Sequence, residues 1–215
     1  MNMKKSTFDT RYFVSLAMLC AIMLVLQITG IGLVPLPFIK ATTMHIPVIL
    51  GAILLGPTAG AVLGAEFGLL SIWTNTTSPS ALSFAFSPVL AAELCGPSGA
   101  LSSVWTALAC RILLGVIAGW LWKCLKMWKL PDLLALPITA GVSTVCHSLL
   151  VMGSIGLMFA PEYAELKGVA VDAIFKVAMG VVATSGIPEA IAAVIIITAV
   201  GKALLAFLAR TQNRR

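Results

Sequence analysis

Apolar residues do not alternate along this chain; they run. From Tyr12 to Leu208, stretches long enough to cross a bilayer follow one another, broken by short polar or proline-bearing segments. A bilayer's hydrocarbon core takes about 20 residues of helix, and inside it only helices and closed barrels satisfy every backbone group. Continuous runs, in place of period-two alternation, select helices. The pattern predicts helices at about 12–33, 45–55, 58–73, 99–122, 134–159 and 188–208. Gly56-Pro57 separates the second from the third as a stop-and-turn dipeptide. Thr74–Ser98 reads as a long connection interrupted only by Glu93, with an apolar stretch at 81–90 able to fold back into the protein. Ala160–Ile187 is mixed, and 172–183 is a candidate for a further short helix. Residues 1–215 therefore read as a single transmembrane domain, a compact all-α bundle of six transmembrane helices, with five or seven spans as alternatives.

Composition sharpens this picture. The chain is 60% hydrophobic and 10% charged, with a mean hydropathy of +1.04. A soluble fold of this size could not cover itself with so few polar residues. Lys4 and Lys5 ahead of an apolar run imitate a secretory signal, but the run extends to about Leu33 and no small-x-small pattern closes it, so an uncleaved first helix is expected. The 215 residues leave no room for a soluble domain beside the spans, so any nucleotide-hydrolysing machinery belongs to other chains.

The net charge of +6 does not point to nucleic acid, because the basic residues sit at the ends of apolar runs. With the N-terminus inside, the inner segments hold Lys4, Lys5, Arg11, Lys123, Lys126, Lys129, Lys202, Arg210, Arg214 and Arg215. The outer segments hold Lys40, Lys167 and Lys176. Ten against three is a positive-inside bias that requires an even number of spans and puts both termini inside. Long connections after helices one, three and five then face outward, over a site open to that side.

Several chemistries have no support. The five cysteines are scattered and read as packing residues. There is no GxxxxGK[ST], HExxH or GxSxG motif, and His45 and His147 have no ligand-spaced partner, so no enzyme, metal or cofactor is expected.

The polar interruptions within the spans are the candidate chemistry. Arg111 lies about twelve residues from either end of its helix, where an arginine costs at least about 2.5–3.5 kcal/mol on insertion scales. Two readings stay open: an ion pair with Glu66, or a grip on an anionic solute through the planar guanidinium. His147, beside Ser143, Thr144 and Ser148, is an interhelical hydrogen-bonder or a solute contact. Glu189, just after Pro188, is placed to cap its own helix N-terminus, with solute contact in reserve. Asn75, Ser83, Phe84 and Phe86 offer the mix of hydrogen bonds and aromatic cover expected of a small-solute pocket, or else a solvated loop. Lys40 in the first outer connection completes the candidate contacts. Gly60, Gly64 and Gly68, with Gly115 and Gly119, form small-residue seams for close helix contact, read as packing inside the bundle. Ala17 and Ala21 form another on the first helix, either packing or an intermolecular face.

The stretch from Ala41 to Gly64, with its Ile53-Leu-Leu-Gly-Pro57 turn, resembles the substrate-binding components of energy-coupling factor (ECF) vitamin transporters. So do the Ala17-xxx-Ala21 pair, the Ser83–Pro88 segment and the Arg111-Ile-Leu-Leu-Gly115 run, and the likeness extends over nearly the whole chain. It implies a six-helix, high-affinity vitamin-binding subunit of a bacterial plasma membrane, working with a transmembrane coupling subunit and two cytoplasmic ATPases. It implies that Ala17 and Ala21 dock onto the coupling subunit. Ala41–Pro47 and Ser83–Pro88 look like pantothenate-type members, with riboflavin-type members as the alternative. A stand-alone proton-coupled carrier using Glu66 or His147 is the competing class, although no inverted repeat supports it.

Overall fold

The computed structural model describes residues 10–30, 33–36 and 39–212; side chains of 33–42 and from 208 onward lie outside that description. The chain is a helical membrane bundle. Its elements are α1 (Thr10–Thr29), a hairpin of β1 (Leu33–Leu36) and β2 (Ile39–Thr42), α2 (His45–Leu55), α3 (Pro57–Thr77), α4 (Pro88–Val104), α5 (Cys110–Met127), α6 (Asp132–Met158), α7 (Ala160–Lys167), α8 (Ile174–Val181) and α9 (Ile187–Gln212). Single π-turns at Trp105–Ala109 and Val182–Gly186 weld α4 to α5 and α8 to α9. Among the described residues, four helical segments are long and apolar enough to cross a membrane: Thr10–Thr29, Pro88–Met127, Asp132–Met158 and Val171–Phe207.

Three expected boundaries move. The first helix ends at Thr29, not near Leu33, because Gly30 takes a positive φ of 69° and the chain turns into an antiparallel hairpin pairing Leu33 with Thr42. This hairpin is the one departure from the all-α expectation among the described residues. The long connection from Thr74 to Ser98 is largely helical: α3 runs to Thr77, a 3₁₀ turn covers Ser83–Ala85, and α4 begins at Pro88. Pro at the first helical position loses no intrahelical bond, and the Ser87 hydroxyl accepts the Leu90 N–H at 3.5 Å. The true loop, Ser78–Ser87, folds inward as its apolar stretch allows, with Ser83, Ala85 and Ser87 all fully buried. Inside α4, Gly96 (φ 72°, ψ −165°) breaks the helix ahead of Pro97, a conformation that side chains disfavour. The mixed region before the last span is helical too, through α7 and α8, and continues into α9 without a free end.

Packing starts from α2, which is apolar on every side and buried from His45 to Ile53. Around it Ile49, Leu63, Leu114, Leu136 and Ile197 build the main core. A second cluster of Ala85, Ile155, Phe159, Tyr163 and Ile174 lies beneath the Ser78–Ser87 loop and α7. The glycines of α3 form its contact face with α5. A Cβ on Gly115 would strike the Gly60 backbone, and one on Gly64 the carbonyl of Arg111. A Cβ on Gly68 would meet the Ala107 carbonyl at 2.8 Å. Lipid gives no hydrophobic drive for helix pairing, so direct backbone contact supplies the attraction. By contrast α1 buries only Met23, and Val14, Met18, Val25 and Ile28 point outward.

Candidate functional site

Between α3, α5, α6 and the α8–α9 junction, at the end carrying the hairpin and the Ser78–Ser87 loop, lies a cavity of about 420 Å³. That is within the usual range for a small-solute pocket. Arg111, Asn75, Phe86, His147 and Glu189 line it, while Glu66 and Ser83 do not. Lys40 stands on β2, but its side chain lies outside the described residues.

Arg111 forms one wall. It is 7% exposed, and its guanidinium is held between two phenyl rings, 4.6 Å from the Phe67 centroid and 5.1 Å from that of Phe86. Its Nη1 donates to the Thr106 carbonyl at 3.1 Å and the Ala107 carbonyl at 2.8 Å. Both carbonyls belong to the first π-turn, where the wider helical winding makes backbone oxygens available to a side chain. Nη1 is thereby committed to the protein. Nε, which is buried, has no partner. An edge of Nε and Nη2 is the part of a guanidinium that pairs a planar anion side-on, with two parallel N–H···O bonds.

Of the two readings of Arg111, the pair with Glu66 does not form. An ion pair does form between Lys126 and Asp132, at 2.6 Å and exposed. The reason is helical phase: Glu66 is two positions from both Gly64 and Gly68, so it points about 200° away from the face that meets α5. It turns instead toward α1, where the Cys20 thiol faces it. Glu189 does not cap a helix either, because the chain is already helical on its N-terminal side. It projects from α9 into the cavity lining.

His147 shares the neighbourhood of Phe67 with Arg111, its ring 6.2 Å from the Phe67 ring, with Nδ1 buried and unpartnered. The far end is polar and comes mostly from the end of α3. Asn75 donates from Nδ2 to the Ser71 carbonyl at 2.8 Å, and Gln27 of α1 donates to the Thr74 hydroxyl at 2.6 Å. Ser83 is wholly buried behind Asn75, to whose Oδ1 it donates at 2.7 Å. Val151, Met152, Ile155 and Val181 supply an apolar part of the lining. The cavity thus combines a guanidinium, an apolar wall, and amide and hydroxyl groups, with Glu189 also in its lining.

Sequence reasoning missed Gln27, Phe67, Ser71, Ser148 and Ser185. Phe67, Ser71, Asn75 and Ser78 follow one another at helical spacing, and that stripe was the available signal. Nothing comparable marked Ser148 or Ser185, which reach the cavity through α6 and the second π-turn.

The family model described as ECF transporter, substrate-specific component, matches residues 11–201. The chain is 34% identical over 195 residues to "Pantothenic acid transporter PanT" of Lactococcus lactis subsp. cremoris, covering 88% of this chain and 91% of that protein. It is 27% identical over 216 residues to "Pantothenate transporter PanT" of Leuconostoc mesenteroides subsp. mesenteroides, covering 93% of this chain and 95% of that protein.

Proposed function

The chain belongs to the family of ECF transporter substrate-specific components, and from that premise we propose that it is the high-affinity binding subunit of a pantothenate importer. Pantothenate carries a carboxylate at one end, an amide in the middle and hydroxyls at the other. The carboxylate is assigned to the free edge of Arg111, with His147 alongside, and the hydroxyl-bearing end to Asn75 and its neighbours.

One observation carries the reading. Arg111 is a buried guanidinium that lines a solute-sized cavity, and among the described residues it has no carboxylate partner. A charge left unpaired at that depth is costly, and an anionic solute offsets the cost by pairing with it. The names of the two relatives agree with that chemistry. Riboflavin, which has no carboxylate, would leave the guanidinium unpaired.

The finer arrangement belongs to the same proposal. Short, buried α2 and glycine-seamed α3 add two passes to the four long segments, giving six, and the ten-to-three basic bias places both termini inside. Delivery is powered by a separate transmembrane coupling subunit and two ATPases, since the sequence carries no nucleotide-binding loop. Ala17 and Ala21 are exposed on α1, between Phe13, Met18 and Val25, and are the proposed docking face for the coupling subunit.

Isothermal titration of the purified protein in detergent, without ATP, tests the substrate. Pantothenate is expected to bind tightly at one site, and riboflavin not to compete. Tight binding of riboflavin with none of pantothenate overturns the assignment.

A further inference from the structure

Ser83 has no surface left with which to touch a solute, yet its hydroxyl stands at the centre of a directed hydrogen-bond chain that ends in the cavity. It is fully buried. Its oxygen accepts the Ser80 N–H at 2.8 Å, and the Ser80 hydroxyl lies 3.2 Å away. Its single proton goes to Asn75 Oδ1 at 2.7 Å. On the other side of the Asn75 amide stands the Ser71 carbonyl, which can only accept, so Nδ2 must face it, at 2.8 Å. The Ser71 carbonyl therefore specifies one orientation of the amide, and Ser83 bonds the oxygen that this orientation turns toward it. Flipped by 180°, the amide would set two carbonyl oxygens against each other and face the serine with N–H.

The consequence lies in what Asn75 shows to the cavity. Nδ2 has two protons. One is bound to the Ser71 carbonyl, and only a long 3.3 Å contact to the Ser71 hydroxyl competes for the other. Asn75 thus presents an N–H donor, which selects for a hydroxyl or carbonyl oxygen on the solute and against a group that can only donate. The same loop is fastened a second time, by the 2.7 Å bond between the Thr76 and Ser87 hydroxyls, and between the two fastenings it carries Phe86 onto Arg111.

Resting on the reading of this cavity as a pantothenate site, we propose that Ser83 is a positioning residue that sets solute specificity through Asn75. Its hydroxyl holds in place the amide that the Ser71 carbonyl orients, and through the loop it registers the Asn75 side of the cavity against Arg111. Ser83 itself makes no contact with the solute.

The test is a double-mutant cycle by titration calorimetry on the purified full chain, with Asn75→Ala, Ser83→Ala and the double variant, each checked by thermal unfolding. Pantothenate is the first probe; if the wild type instead binds riboflavin or another vitamin, the substrate assignment fails and the same cycle is run with that vitamin. Ser83→Ala is expected to weaken binding about five- to thirty-fold, the range for an orphaned polar group at a site. Asn75→Ala should weaken it at least as much, and the double variant no more than about twofold beyond Asn75→Ala, because one residue acts through the other. Multiplying losses, or wild-type affinity in Ser83→Ala, overturns the proposal. Should the alanine variant not fold, Ser83→Cys keeps the volume with a weak donor and must give the same non-additive pattern.

Discussion

The guanidinium of Arg111 lies 4.6 Å from the centre of the Phe67 ring, and backbone contact fixes that distance more than the two side chains do. Gly64 and Gly68 flank Phe67 on α3 and both rest directly on backbone, Gly64 on the carbonyl of Arg111 itself in α5 and Gly68 on Ala107 and Leu108 of the first π-turn. The seam that lets the two helices touch therefore also sets the aromatic platform under the cation. A cation over a desolvated aromatic face gains about 2 kcal/mol, which helps hold a charge at this depth.

Replacing Arg111 with Lys tests whether the planar edge matters or only the charge. An ammonium cannot offer two parallel N–H groups, nor bond both π-turn carbonyls in the same geometry. Affinity for pantothenate is expected to fall by about 2 kcal/mol, roughly thirtyfold, by calorimetry. Unchanged affinity would show that a point charge is enough.

The glycine seam gives a stability prediction with an internal control. Gly115→Ala puts a methyl group into the Gly60 backbone, which must shift, and should destabilise the protein by about 1–3 kcal/mol in thermal unfolding. Gly153→Ala, on α6 with nothing within 4 Å, should be neutral or stabilise slightly, since alanine is the better helix former. Equal effects at the two positions would remove the argument for backbone contact.

Glu66 faces Cys20 on α1 and takes no part in lining the cavity. Glu66→Gln is therefore expected to bind pantothenate within about twofold of the wild type, below the energy of even one ordinary hydrogen bond. A tenfold change in either direction in the same titration would bring Glu66 back to the site.

Ala17→Trp with Ala21→Trp places two large side chains on a face already turned outward from the bundle. Binding by the isolated subunit should be intact, and uptake by cells carrying the full transporter should be lost. Normal uptake would move the docking surface elsewhere.

Apolar run length alone determined that lipid is the solvent here and that the elements are helices, since no other backbone arrangement closes its own hydrogen bonds within a single segment. The glycine spacing determined that a close seam exists, and Arg111 stood out because an arginine among leucines needs a partner. Even the turning of Glu66 away from that seam was implicit in its two-residue offset from Gly64 and Gly68. Which helix the seam would meet was not, because small residues specify a close approach without specifying to what. The structure also decided the two π-turns. A shift from i→i−4 to i→i−5 bonding carries no residue signature, yet it frees the carbonyls that hold Arg111 and brings Ser185 to the cavity. Ser83 was visible as a polar residue in a loop, but its role follows from that loop folding inward until its hydroxyl met Asn75. Contacts between residues of a loop and the helix it leaves depend on the path of the backbone, and only the packed chain fixes that path.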